Sequence, residues 1–89
     1  MVKLCRNAVG KDMVLMADVA YAWADWKSAL HALEMIKNEN LYFIETPLPI
    51  EDLEGSSKLA QSTNVRIATG EMLQTRFECY ETIEKGKVD

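Results

Sequence analysis

Long apolar runs, positive charge, histidine and cysteine are all scarce in these 89 residues. No stretch approaches the roughly 18 consecutive apolar residues of a membrane span, and Met1-Val2-Lys3 leads into no signal-peptide core, so neither a membrane partner nor export is expected. Lys and Arg number 10 against 14 Asp and Glu, a net charge of −4. Without a basic stripe to displace counterions, the chain has little to offer nucleic acid. The two cysteines, Cys5 and Cys79, fall in helix-like segments with no metal-type spacing. They are expected to be reduced, partly buried and unpaired, in a cytoplasmic protein. The only histidine, His31, lies mid-helix, far from any strand end, and reads as structural. A composition of 48% hydrophobic and 27% charged residues is ordinary for a soluble globular protein.

What is present is a repeating alternation of apolar runs and helical periods. Val2 to Val9 reads as a helix, with Gly10 where it stops. Met13 to Ala17 is a continuous apolar run closing on Asp18, the pattern of a parallel strand buried on both faces. Asp25 is placed as an N-cap, and Trp26, Leu30, Leu33 and Ile36 follow at helical spacing. A second strand, Leu41 to Ile44, closes on Glu45, and Pro47 and Pro49 then forbid further pairing. Glu51 and Asp52 mark the start of a weaker helix running to about Gln61. Val65 to Ala68 is the third strand, followed by Thr69-Gly70-Glu71. Thr75 and Glu78 form a capping box that opens a helix carrying Phe77, Tyr80 and Ile83, with Gly86 as its stop. Val88-Asp89 resembles a fourth strand barely begun. The alternation predicts an α/β architecture.

The acids at the strand ends carry the chemistry. Asp18 to Glu45 is 27 residues and Glu45 to Glu71 is 26, about one strand–helix unit each. Equal phasing predicts three carboxylates at the same end of neighbouring strands about 4.8 Å apart. Such a cluster calls for a counter-charge, and a hard divalent cation with oxygen ligands is the natural one.

The strand ends read Leu15-Met16-Ala17-Asp18, Phe43-Ile44-Glu45-Thr46-Pro47-Leu48-Pro49 and Ile67-Ala68-Thr69-Gly70-Glu71, with Ala22-Trp23 after the first. Together they resemble the barrel domain of the enolase superfamily, in its mandelate racemase and muconate-lactonizing branch, over essentially all of residues 1–89. The resemblance implies a segment of a (β/α)₈ TIM-type barrel, about strands three to five with their helices. It implies that Asp18, Glu45 and Glu71 bind Mg²⁺ and that none of the acid–base residues lies in this segment. The implied reaction is abstraction of the α-proton of a small carboxylate, an acid sugar or hydroxy acid, through a metal-stabilised enediolate. The outcome would be dehydration, racemisation or cycloisomerisation, carried out by a homo-oligomer when the chain is complete. Two positions depart from the family pattern. Ala20 stands where many members have an Asn that meets substrate, and Thr46 stands where many have a second Glu.

Other readings remain beside this one. A receiver-like signalling module also carries acids and Mg²⁺ on a parallel sheet, but it needs a Lys after a late strand and an acidic pair after the first. A non-catalytic remnant is the other alternative. Trp23 and Trp26 are expected to pack in the core or loops. Arg76 is expected to be a solvated residue at a helix start.

Overall fold

A computed structural model describes all of residues 1–89. The chain runs α1 (Val2–Val9), β1 (Leu15–Asp18), α2 (Trp26–Met35), a single 3₁₀ turn (Lys37–Glu39), β2 (Leu41–Glu45), α3 (Leu53–Ser62), β3 (Arg66–Ala68) and α4 (Arg76–Gly86). The strands form one parallel sheet in the order β1-β2-β3. Right-handed crossovers that always step the same way along a sheet stack their helices on one face. The core reflects this. Ala29 and Leu33 of α2, Ile44 of β2, Leu59 of α3 and Ile67 of β3 join Leu48 in one buried cluster, with Trp23 and Trp26 packed against it. Burying each of the larger side chains contributes about 1.5–3 kcal/mol.

Local signals set the boundaries. The Asp25 carboxylate accepts from the N–H groups of Lys27 and Ser28, and Asp52 accepts from that of Gly55. Both satisfy donors that the first helical turn leaves free. Thr75 and Glu78 form the expected capping box at α4. At the end of α1 the expected stop is present, with Gly10 at φ 81°. Asn40, at φ 50°, ends the 3₁₀ turn in the left-handed conformation that Asn tolerates. The expected fourth strand is not formed by Val88 and Asp89, although Asp89 is hydrogen-bonded to β3. The Asp89 N–H donates to the Ile67 carbonyl at 2.9 Å, and the Ile67 N–H donates to Asp89 Oδ2 at 2.8 Å.

Three further expectations need correction, and packing sets one helix face. The first apolar run is not buried on both faces: β1 begins only at Leu15, and Val14 and Met16 are 62% and 52% exposed. Within residues 1–89 it is an edge strand, and helices cover only one side of the sheet. Phe77, Tyr80 and Ile83 are exposed on α4, whose buried residues are Thr82 and Gly86. The packing face is the small-residue side, because α4 lies close against α3 and Gly86 meets Leu53 and Ser56. Gly86 is the last residue of the helix, and the left-handed cap falls on Lys87 at φ 56°. Cys5 and Cys79 are free, as expected, but exposed and not partly buried.

Arg6 organises the opposite end of the sheet, where β1 and β2 begin. The Arg6 guanidinium donates to the carbonyls of Glu39 (2.9 Å), Gly10 (2.8 Å), Met13 (2.7 Å) and Asn40 (3.2 Å). It ties the end of α1 to both the approach to β1 and the turn before β2. α1 buries none of its own residues, so this fork supplies what packing does not.

Candidate metal centre

Parallel pairing brings the strand ends to one edge of the sheet. Asp18 pairs directly with Glu45 across β1 and β2, so alternation turns both carboxylates to the same face. The third position differs from the expectation. The residue level with Glu45 on β3 is Ala68, and Glu71 lies three residues further on, in the loop. Equal sequence spacing did not give equal height, because β3 ends level with its neighbours, at Ala68, and three more residues follow before Glu71.

Glu71 returns to the site through a hydrogen bond. The Thr46 hydroxyl faces both of its carboxylate oxygens, at 3.0 and 2.8 Å. Since Thr46 follows Glu45 directly, the tether brings the third acid beside the end of β2. Its carboxyl is held below the ordinary range chiefly by its own backbone N–H, then by the Thr46 hydroxyl, with Tyr21 and the Gly70 N–H adding to the effect against a desolvation that raises it. The Tyr21 phenol is pushed above its usual value by desolvation, then by its hydrogen bond and proximity to Glu71 and by the charges of Glu51 and Asp18. Asp18 accepts from the Ala20 N–H at 3.0 Å, which shapes the first loop.

The loops themselves are zipped together. N–H groups of Val19, Tyr21 and Trp23 donate to the carbonyls of Glu45 (3.1 Å), Thr46 (2.8 Å) and Pro47 (3.2 Å), and the Thr46 N–H donates to Ala68 O at 2.7 Å. The ladder therefore runs past the strands into the site. Its cost is visible in the backbone. Ala20, Tyr21 and Thr46 all have positive φ, at 44°, 62° and 49°, a conformation that costs a non-glycine residue about 1–2 kcal/mol. Residues held this way collect at functional sites, where the surroundings enforce them.

The ion pairs of the chain, Lys37–Glu34, Lys58–Glu54 and Lys85–Glu81, all lie on helix surfaces. None neutralises Asp18, Glu45 or Glu71. The donor set, two carboxylates on adjacent strand ends and a third from the loop after β3, without a basic partner, suits a hard divalent cation. The side chains are brought to one end of the sheet but not gathered into a closed set of three ligands. His31 is exposed on α2 and Arg76 is exposed at the start of α4, its guanidinium over the Phe77 ring, so neither joins the acids. A cleft of about 290 Å³ lined by Tyr21, Pro49, Ile50, Glu51 and Met72 opens beside this end of the sheet.

Two residues of this site were not picked out by spacing. Thr46 registered only as a departure from a family pattern, although its place directly after Glu45 was the available signal. Nothing in the sequence marked Tyr21, because its role depends on a left-handed turn.

A parallel α/β segment with acids at the carboxyl ends of its strands is the arrangement of barrel enzymes that work at that face. The chain belongs to the enolase C-terminal domain-like family, whose model matches residues 1–89. This bears out the resemblance to the mandelate racemase and muconate-lactonizing branch. Over 81 residues it is 38% identical to L-talarate/galactarate dehydratase of Salmonella typhimurium, covering 91% of this chain and 20% of that protein. It is 32% identical over 88 residues to a hydrophobic dipeptide epimerase of Enterococcus faecalis, covering 99% of this chain and 25% of the relative. The crystal structure of L-talarate dehydratase from Polaromonas sp. JS666, complexed with Mg and L-glucarate, superposes with a TM-score of 0.91 at 34% identity, over 99% of this chain and 24% of that one. The chain thus spans a fifth to a quarter of the length of these relatives. No helix is long and apolar enough to cross a membrane.

Proposed function

We propose that residues 1–89 are the third to fifth strand–helix units of a (β/α)₈ barrel, and that the complete protein is a cytoplasmic, homo-oligomeric, Mg²⁺-dependent enzyme acting on a small carboxylate. The observation that carries this reading is the run of Asp18, Glu45 and Glu71 along one end of a parallel sheet, without basic partners, in a chain of the enolase C-terminal domain-like family. The edges of the sheet and its uncovered face are what neighbouring barrel units would close.

In this reading Asp18 and Glu45 hold the cation from adjacent strand ends, and Glu71 completes the set from its loop. Mg²⁺, when bound, supplies electrostatic stabilisation of the negative charge that develops as the proton α to a carboxylate departs. The zipped loops and the three left-handed residues hold the acids at one end of the sheet, and a bound cation would draw the three carboxylates together. The base that takes the proton lies outside these residues. An acid sugar is the favoured substrate class, since relatives include an acid-sugar dehydratase and a structure with bound L-glucarate. The product, whether a dehydrated, racemised or cyclised acid, depends on residues elsewhere.

The test is Mg²⁺ binding to the complete protein by titration calorimetry, with Asp18→Asn, Glu45→Gln and Glu71→Gln. Each variant should lose more than about 100-fold in affinity, beyond the range seen when a residue merely supporting a ligand is removed. Binding at wild-type affinity in any one of them would overturn the ligand set. In deuterated solvent, label should enter the α-position where the proton is returned there, and the β-carbon of the keto product where the β-hydroxyl is lost instead.

A further inference from the structure

We infer that Thr46 is the positioning residue for the third acid, holding the Glu71 carboxylate beside the end of β2, from where it would close on the cation. This rests on the metal reading above and adds to it a residue that is not itself a ligand.

Three observations converge on Thr46. It is fully buried, so its hydroxyl needs a partner inside the protein. Its side-chain partner is Glu71, whose two oxygens it faces at 2.8 and 3.0 Å. It is also held where a β-branched residue is least at home. Its φ is 49°, and it precedes Pro47, a position that favours an extended backbone. Glycine or asparagine would relieve that strain. Glycine would also remove the hydroxyl and empty a buried space.

Glu71 needs such a support. It lies three residues beyond β3, after Gly70 at φ 137°, in a loop whose turn is closed by the Leu73 N–H on the Gly70 carbonyl at 3.0 Å. Asp18 and Glu45 are placed by the sheet ladder, and Glu71 is not. Thr46 offers that connection through three groups. Its N–H binds β3 at Ala68, its carbonyl binds the β1 loop at Tyr21, and its hydroxyl binds the acid. The strand that carries one acid therefore also sets the height of the next. A single hydroxyl shared between two oxygens leaves lone pairs on the carboxylate for a cation.

The test compares Thr46→Val and Thr46→Ser in the complete protein, reading Mg²⁺ affinity by calorimetry and the melting temperature without metal. Val keeps the shape and removes the donor; Ser keeps the donor. The expected result is a loss of about 10–100-fold in Mg²⁺ affinity for Val and an affinity within about twofold of wild type for Ser. A purely structural role would lower the melting temperature while leaving the affinity of the folded protein unchanged, and that result overturns the inference. So would tighter binding in the Val variant, which would make the Thr46 bond a competitor of the metal. If Val prevents folding, Thr46→Cys, a small side chain with a weak donor, reads the same affinity with the same expected loss. Glu71→Gln separates the two readings. If it binds Mg²⁺ like wild type, the ligand assignment fails; if it loses Mg²⁺ while Thr46→Val does not, only the positioning role fails.

Discussion

Replacing Gly55 by Ala should fail to stabilise α3, although the same change in an ordinary helix is favourable. Glycine in a helix interior is about 0.5–1 kcal/mol less stable than alanine. Here a Cβ on Gly55 would sit 2.1 Å from Asp52 Oδ2 and 2.6 Å from its Cγ, inside any permitted contact. The Asp52 carboxylate must then leave the position from which it accepts the Gly55 N–H at 2.8 Å, and losing an N-cap costs about 1 kcal/mol. The two effects nearly cancel, so Gly55→Ala alone should be neutral to about 1 kcal/mol destabilising. In an Asp52→Ala background the cap is already gone. Gly55→Ala should then stabilise by about 0.5–1 kcal/mol, giving a coupling energy of about 1 kcal/mol. Urea-unfolding midpoints of the four proteins, with hydrogen exchange of the α3 amides as the local readout, measure this cycle. The same increment for Gly55→Ala in both backgrounds would refute the reasoning.

Arg6→Ala should destabilise by about 1.5–3 kcal/mol, the range for hydrogen bonds to a charged group, and speed amide exchange in α1. Arg6→Lys should rescue little, because an ammonium cannot reproduce the fork to four carbonyls; full rescue would show that charge alone matters. Leu59→Ala, at a fully buried position, should cost about 2–5 kcal/mol and Leu59→Met under about 1.5, read as shifts in unfolding midpoint. For pH, the carboxyls of Asp25 and Glu78 are lowered, Asp25 first by the Ser28 N–H and Glu78 first by the Thr75 hydroxyl. A depressed folded value gives stability that is present above the unfolded carboxyl value of about 4 and is lost as pH falls through the lower folded one. The melting temperature should therefore drop on acidification below about pH 4, with a shallower drop in an Asp25→Asn, Glu78→Gln double variant. An unchanged slope would remove the caps from the acid response.

Much of the architecture was legible in residue order. Period-3.6 patterns with Asp25, Asp52 and Thr75 as caps, and short apolar runs closing on acids, are local signals. The helices and strands begin and end within about two residues of where those signals put them. The motif at the three strand ends was enough to indicate the family. Packing decided the rest, because burial depends on what lies across from a residue and not on the residue itself. Within residues 1–89 the run from Met13 to Ala17 has helices on one side only; its other face and free edge are where further units of the proposed barrel would pack. Phe77, Tyr80 and Ile83 are apolar yet exposed, because α4 approaches α3 through Thr82 and Gly86. At the site, sequence spacing determined that Asp18 and Glu45 share one end of the sheet, since parallel pairing follows from strand–helix repetition. It misplaced Glu71, because a spacing counts residues and takes no account of where β3 ends. Only the folded chain brings that acid beside Glu45, through a hydroxyl 25 residues away on a backbone bent into a conformation that threonine disfavours.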